Sequence, residues 1–547
     1  MVQTSIFRAK KIITMNPNQP ETTHVAVRDG RILGTGTLEE LAIWGDYTLD
    51  DTFHDKVLMP GLVEGHAHVM AGTLWRHVYC GYFDRLDPDG NIWHGTKTIT
   101  GVIELLQVAE SKLKDPYMPL TGWQLDPIYM DNKRITRDDL DQVSPKRPVG
   151  VLHASGHILN VNSKALELAG LLKLGVNHPG IPLGPDGLPT GELYGPDAMG
   201  PVSTHVGFDR ASMEGDADGL RAFSKMCVRS GVTTVTDLAA RLTEESVDKM
   251  LEVTELPTFP ARIVPLRVFM GASAKDTIDL VLSLKDRSTD RLRLGRIKAV
   301  ADGSIQGFSA RMRWPGYLNG APNGLWYTSP AQLAELYRLA LANGIQVHTH
   351  TNGDEATEMV LDTFATALNE VPIVDHRFTL QHCQLADAAQ FRRMKNMDMC
   401  VNLFANHHFY WGDEHYRLTV GPERANRMNA CHTALEMGVP MAIHSDAPIT
   451  PLGPLFTAWC AVNRLTVSGR IQGEGEKISV QDALYAITLG AAYTLHLDSE
   501  IGSIEIGKKA DFAVLEHDPT DISGENLKDI KIWGTVQGGR IFEARNL

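Results

Sequence analysis

Val57-Leu58-Met59-Pro60-Gly61-Leu62-Val63-Glu64-Gly65-His66-Ala67-His68 is an apolar run that closes on two histidines at i and i+2. Side chains alternate faces along a strand, so both imidazoles point the same way. Two same-facing histidines at the C-terminal end of a buried strand can grip a metal ion from one side. One such pair is common by chance. Its meaning depends on whether further ligands follow, each at the end of its own strand.

Outward from this run, strands and helices alternate. Strand patterns occupy 57–66, 148–154, 232–238, 262–270, 293–302, 344–351, 377–383, 398–404 and 439–445. Helical patterns occupy 329–343, 354–370, 386–396, 423–437 and 479–494. Repeated β-then-α order implies a parallel sheet under helical cover. The fold class expected is α/β, a (β/α)8 TIM-like barrel over residues 59–499 with its site at the C-terminal strand ends. Residues 70–230, rich in Gly, Pro and aromatics, read as an insertion after the first barrel strand that covers the mouth. Both ends, 1–58 and 500–547, carry short strands and Gly turns. They are expected to meet in one small β-sandwich domain.

The chain has 547 residues, 43% hydrophobic and 22% charged, with a formal net charge of −14 and no long acidic run. This composition fits a soluble globular protein and argues against nucleic acid or an anionic membrane surface as partner. The six cysteines, at 80, 227, 383, 400, 431 and 460, form no C-x-x-C pair. Reduced, buried thiols in a cytoplasmic protein fit best. The N-terminus lacks a signal-peptide layout.

Four more candidates stand at strand ends. Lys298 lies in Arg296-Ile297-Lys298-Ala299-Val300-Ala301-Asp302, where an ammonium is costly to bury. Either it is carbamylated and bridges two metals, or it snorkels or pairs with Asp302. His350 and His348 share a face, and His350 is nearer the strand end. His382 ends Phe378-Thr379-Leu380-Gln381-His382, and Asp446 closes Pro440-Met441-Ala442-Ile443-His444-Ser445. Each alone is an ordinary core residue. Together at successive strand ends they point to a metal set of His66, His68, Lys298, His350, His382 and Asp446. His157, in a Ser-Gly-His turn, and Trp75, Asp302, Trp326, Phe404 and His407 are the candidate substrate contacts. Arg311 and Arg313 are candidates to meet a substrate carboxylate.

The sequence resembles the amidohydrolase superfamily, in the branch of N-substituted formamide deformylases and YtcJ-type hydrolases. The resemblance spans nearly the whole chain. It rests on Met59 through His68, Ser155 through Gly170, Lys298 through Ser304, His350 through Asp354, Gln381 through Gln384, Ser445 through Pro448, and the tail Gly507 through Leu515. It implies that His66, His68 and Asp446 hold one metal and His350 and His382 a second, with carboxylated Lys298 bridging them. The chain departs from the pattern at Thr351-Asn352 and at 402–411, which bears on substrate choice.

Zn2+ suits these donors, as one or two ions, with Fe2+ or Mn2+ as alternatives. The expected reaction is attack of a metal-activated hydroxide on a non-peptide amide, N-acyl or N-formyl amine, with Asp446 as proton shuttle. The expected partner is a small amide, with an aromatic portion as one option, and the expected assembly a homo-oligomer such as a dimer. The alternatives are a heterocycle aminohydrolase and a metal-free, non-catalytic barrel. Relatives that deaminate commonly carry His-x-x-Glu after the fifth strand, and here Gly353 stands three beyond His350, which counts against deamination without excluding it.

Overall fold

The structure, a computed structural model, describes residues 4–131, 133–208 and 216–547. Residues 1–3 of the N-terminal stretch, and 132 and 209–215 of the insertion, lie outside the described residues. Eight strands form one parallel sheet in sequence order: β1 (Leu62–Glu64), β2 (Val232–Ala240), β3 (Arg262–Phe269), β4 (Arg296–Val300), β5 (Gln346–Thr351), β6 (Thr379–His382), β7 (Cys400–Leu403) and β8 (Met441–Ile443). The sheet curls until its first and last strands meet. Ala67 bridges Ala447 in parallel, His68 N donates to Ala447 O at 2.8 Å, and Asp446 N donates to His66 O at 3.0 Å. The seam is thus stitched just beyond β1 and β8, by the residues that carry three of the candidate ligands.

The covering helices start where the sequence supplies a cap. Thr243, Ser273, Ser329 and Asp387 each accept a hydrogen bond from a backbone N–H of the first turn of Glu244–Thr254, Ala274–Lys285, Pro330–Ala342 and Ala388–Asn396. The helical pattern over 423–437 divides into Gly421–Arg427 and Cys431–Glu436, and that over 479–494 into Val480–Ala486 and Leu489–Tyr493.

The opening apolar run serves two sheets. Tyr47–Pro60 pairs with Thr4–Ile13 and Phe512–Leu515 in a seven-stranded mixed sheet built from both chain ends, and the barrel begins only at Leu62. Gly61 is the joint: a Cβ there would overlap the side chain of Thr233 on β2, so only glycine lets the two sheets meet this closely. The buried Arg262–Asp511 pair, 2.8 Å apart, ties β3 to the segment leading into the terminal sheet.

Strand 149–153 belongs to neither. With Val78–Tyr79, Leu120–Leu125, Ile158–Val161 and Glu192–Tyr194 it forms a separate five-stranded sheet inside the insertion. This sheet's surroundings grip the loops after β7 and β8. Arg85 donates to Pro448 O and Ile449 O, Gln124 Nε2 to Ile449 O at 2.9 Å, and Trp411 Nε1 to Asp126 Oδ2 at 2.7 Å. All six cysteines are buried free thiols. No helix among the described residues is long and apolar enough to cross a membrane.

Candidate metal centre

His66, His68, Lys298, His350, His382 and Asp446 converge on the C-terminal end of the barrel. His66 Nε2 and His68 Nε2 lie 3.3 and 3.2 Å from Asp446 Oδ1, and His382 Nδ1 lies 3.9 Å from Asp446 Oδ2. The His382 ring stands 4.4 Å from that of His66 and 4.6 Å from that of His350. Donor atoms of His66, His68 and Asp446 fall within 4.8 Å of one another, and those of His66, His382 and His444 do so too. His66 belongs to both sets. Lys298 and His350 stand beside them, paired in register on β4 and β5 as Lys298 with His348 and Val300 with His350.

Backbone geometry at the strand ends is unusual. His382 has φ 70° and Asp446 φ 56°, left-handed values that cost a side-chain-bearing residue about 1–3 kcal/mol. β6 ends at His382, whereas Asp446 lies three residues past the end of β8 at Ile443.

Burial decides the charges. It drives the imidazoles of His66, His350 and His382 well below their usual range, so each offers a neutral lone pair. It also raises Asp446, against the pull of His68 and Lys298. Burial lowers the Lys298 amine to about 7, with Asp446 opposing. Lys298 Nζ and His382 Nδ1 are buried without a hydrogen-bond partner among the described residues. Neutral lone pairs around one carboxylate are the donor chemistry of a transition cation. The residues present therefore fit a metal. His68 keeps 19% side-chain exposure, the most of its donor set, and marks the open side.

Two residues that hold the candidate ligands in place were not singled out from sequence. Glu64, on β1, accepts from Ser445 Oγ at 2.6 Å and from the backbone N–H groups of His66 and Ser445, both at 3.2 Å. Burial pushes its carboxyl up to about 8. Gln381 accepts from His66 Nδ1 at 2.7 Å and from Asn402 Nδ2 at 3.0 Å, and donates from Nε2 to His348 Nδ1 at 2.7 Å. An amide oxygen only accepts, so the His66 proton sits on Nδ1 and the lone pair on Nε2, toward Asp446. In the sequence Gln381 stands only as part of the motif around His382, with no role assigned to it. Gln381→Leu is expected to weaken metal binding by about 10–100-fold in competition with a chromophoric chelator. Gln381→Glu, which keeps the acceptor, is expected to lose less.

The substrate candidates divide. The His157 ring lies 5.5 Å from those of His350 and Tyr327, so the insertion delivers it to the centre. Phe404 lies 5.7 Å from His382 and 5.0 Å from His407, whose Nε2 meets Gln306 Oε1 at 3.1 Å. Asp302 accepts from the backbone N–H groups of Arg311, Asn352 and Gly353 and holds loops together. Trp75 packs among Tyr79, Trp93 and Trp123 of the insertion, and Trp326 lies under the Arg311 guanidinium. Arg311 pairs with Glu355, and Arg313 with Glu358 and Asp387.

Nine buried histidines, 66, 153, 348, 350, 382, 407, 408, 415 and 444, are held far below the usual imidazole range by burial. Unfolded, they take protons below about pH 6.5, so the unfolded state then binds more protons and stability falls as pH drops. Glu64, Asp126, Asp302 and Asp446, all raised by burial, act in the opposite sense but are fewer. In chelator, the denaturant midpoint is expected to be lower at about pH 5.5 than at about pH 7.5. An unchanged or higher midpoint would show that these rings are already charged when folded.

The model of the amidohydrolase family matches residues 54–542. YtcJ of Bacillus subtilis is 27% identical over 98% of this chain and 99% of its own length. N-substituted formamide deformylase of Arthrobacter pascens is 26% identical over 94% of both. Among solved structures, a metal-dependent hydrolase from Pyrococcus horikoshii superposes with a TM-score of 0.71 at 19% identity, covering 95% of this chain and 99% of its own. The match extends from the terminal sheet through all eight barrel strands, and on it the chain belongs to the amidohydrolase family.

Proposed function

We propose that the protein is a metal-dependent hydrolase that cleaves a linear, non-peptide C–N bond, that of an N-acyl or N-formyl amine. The observation that carries this reading is the pair of donor sets sharing His66 at the closed seam of the barrel. In this reading His66, His68 and Asp446 hold one ion, Zn2+ or in its place Fe2+ or Mn2+, and His350 and His382 face a second. Burial lowers the pKa of the Lys298 amine, and an uncharged amine can add CO2 with loss of one proton, so its carbamate would offer further oxygen donors to the site. A cation held there lowers the pKa of a water to about 7 and polarises the substrate carbonyl.

The chain's own residues do the rest. Asp446 accepts the proton of the attacking water and returns it to the leaving nitrogen. His157 approaches from the insertion as a hydrogen-bonding group for the substrate. Phe404 and His407 offer a flat wall to an aromatic portion. The insertion excludes bulk water from the reacting atoms.

Deaminases of this scaffold commonly use a carboxylate three beyond the fifth-strand histidine, which is position 353 here. There a Cβ would overlap the Arg311 carbonyl oxygen, so no side chain fits on this backbone. The formamide-cleaving relative supports an acyclic amide. The test is a panel of N-formyl, N-acetyl and N-aryl amides beside aminated heterocycles, assayed with Zn2+ or Mn2+. Turnover of an acyclic amide is expected. Ammonia release from a heterocycle with no amide turnover would overturn the proposal.

A further inference from the structure

One histidine of the barrel lumen remains without a role. His444 follows β8 and stands two residues before Asp446, the same spacing that separates His66 from His68. It is fully buried. Among the described residues it is the one histidine with both ring nitrogens buried and unpartnered. Other buried histidines nearby do find partners. His407 meets Gln306, His408 donates to Cys460 O at 3.0 Å, and His415 meets Thr419 at 2.7 Å. A neutral imidazole carries one donor and one acceptor, and burying both without partners is costly.

The ring is held in place by stacking. Phe404 and His66 stack on it at 4.8 and 4.6 Å, while His382 meets it edge-on at 5.0 Å. His66 offers Nε2, because Gln381 engages its Nδ1. His382 has an unpartnered Nδ1. The donor atoms of His66, His382 and His444 fall within 4.8 Å of one another.

We propose that His444 is a metal-binding residue, forming with His66 and His382 a three-imidazole set. Such a set takes borderline transition cations, Zn2+, Co2+ or Fe2+, and discriminates against Mg2+ and Ca2+, which demand oxygen ligands. The proposal rests on the metal-dependent reading above and adds a residue to it. His66 has one free lone pair, at Nε2, so a cation held by this set is the same cation that His66 would share with His68 and Asp446.

The test uses the full-length protein, stripped with a chelator and titrated with Zn2+ and Co2+ against a chromophoric competitor. His444→Phe removes both nitrogens and leaves a ring to stack on Phe404. It is expected to weaken binding at least about tenfold and to change the visible absorption of bound Co2+, with excess Mg2+ failing to compete in the parent protein. Unchanged affinity and an unchanged Co2+ spectrum, with His66→Ala losing binding in parallel, would overturn the role of His444 and leave the metal reading intact. Failure of the parent protein to bind either cation would overturn both.

Should His444→Phe fail to fold, Zn2+ soaked into crystals of the parent protein decides the matter. An anomalous peak about 2.1 Å from a His444 ring nitrogen supports the proposal. A peak bonded to His66 but beyond about 3 Å from both His444 nitrogens refutes it.

Discussion

Asp446→Asn is expected to lower turnover of the true substrate about 10²–10⁴-fold, the range for loss of a positioned acid–base group, while most of the metal stays bound. Asparagine keeps the size of the side chain and one oxygen for a cation, but it cannot take a proton. The surroundings of Asp446 support the proposed proton transfer. Asp446 is buried, its carboxyl is raised by that burial, and its Oδ1 lies within 3.3 Å of both His66 Nε2 and His68 Nε2. Its place on the seam, with Asp446 N donating to His66 O, fixes the side chain against the other ligands. Metal content measured beside kcat separates the two tasks. Loss of metal in step with activity would mean that Asp446 acts as a ligand alone. Undiminished turnover would remove it from the chemistry.

His66→Ala is expected to lower metal affinity by at least roughly a hundredfold, and His68→Ala by less. The ordering follows from geometry. His66 contributes to both donor sets, whereas His68 contributes to one. Truncation at 66 also leaves the Gln381 oxygen without its imidazole donor and opens space beside His382 and His444. His68 is the more exposed of the pair, so its loss disturbs less of the lumen. Competition titrations of both variants, with thermal unfolding in chelator as a control for folding, check the order. An equal or reversed order would mean that the two histidines serve the same single ion from equivalent positions.

Much of this arrangement could be read from the chain because barrels advertise their strand ends. An apolar strand that closes on a polar residue is visible in one dimension, and His66, His68, His350, His382 and Asp446 have that form, whereas Lys298 stands out as a lysine in the middle of an apolar strand. The lumen is less visible. His444, Gln381 and Asn402 lie within or next to strands, where a buried polar side chain looks like an ordinary core residue. Only the register that sets Gln381 beside Asn402 and His350 shows what they touch. The run 57–66 reads as one strand because its hydrophobicity is continuous. The break at Gly61 depends on a close approach to Thr233, more than 170 residues away, which no local pattern encodes. Residues 148–154 likewise have strand character, but their neighbours place them in the insertion's own sheet. Trp75 and Trp326 carry the same aromatic signal as Phe404, and only packing separates the ring beside His382 from rings that fix a lid or cover an arginine.

The most direct test is a metal count on gently purified full-length protein, coupled to amide turnover before and after chelation. About one to two equivalents of a transition metal per chain are expected, with activity lost on chelation and restored by Zn2+ or Mn2+. Near-zero metal with undiminished amide turnover in chelator would contradict the account.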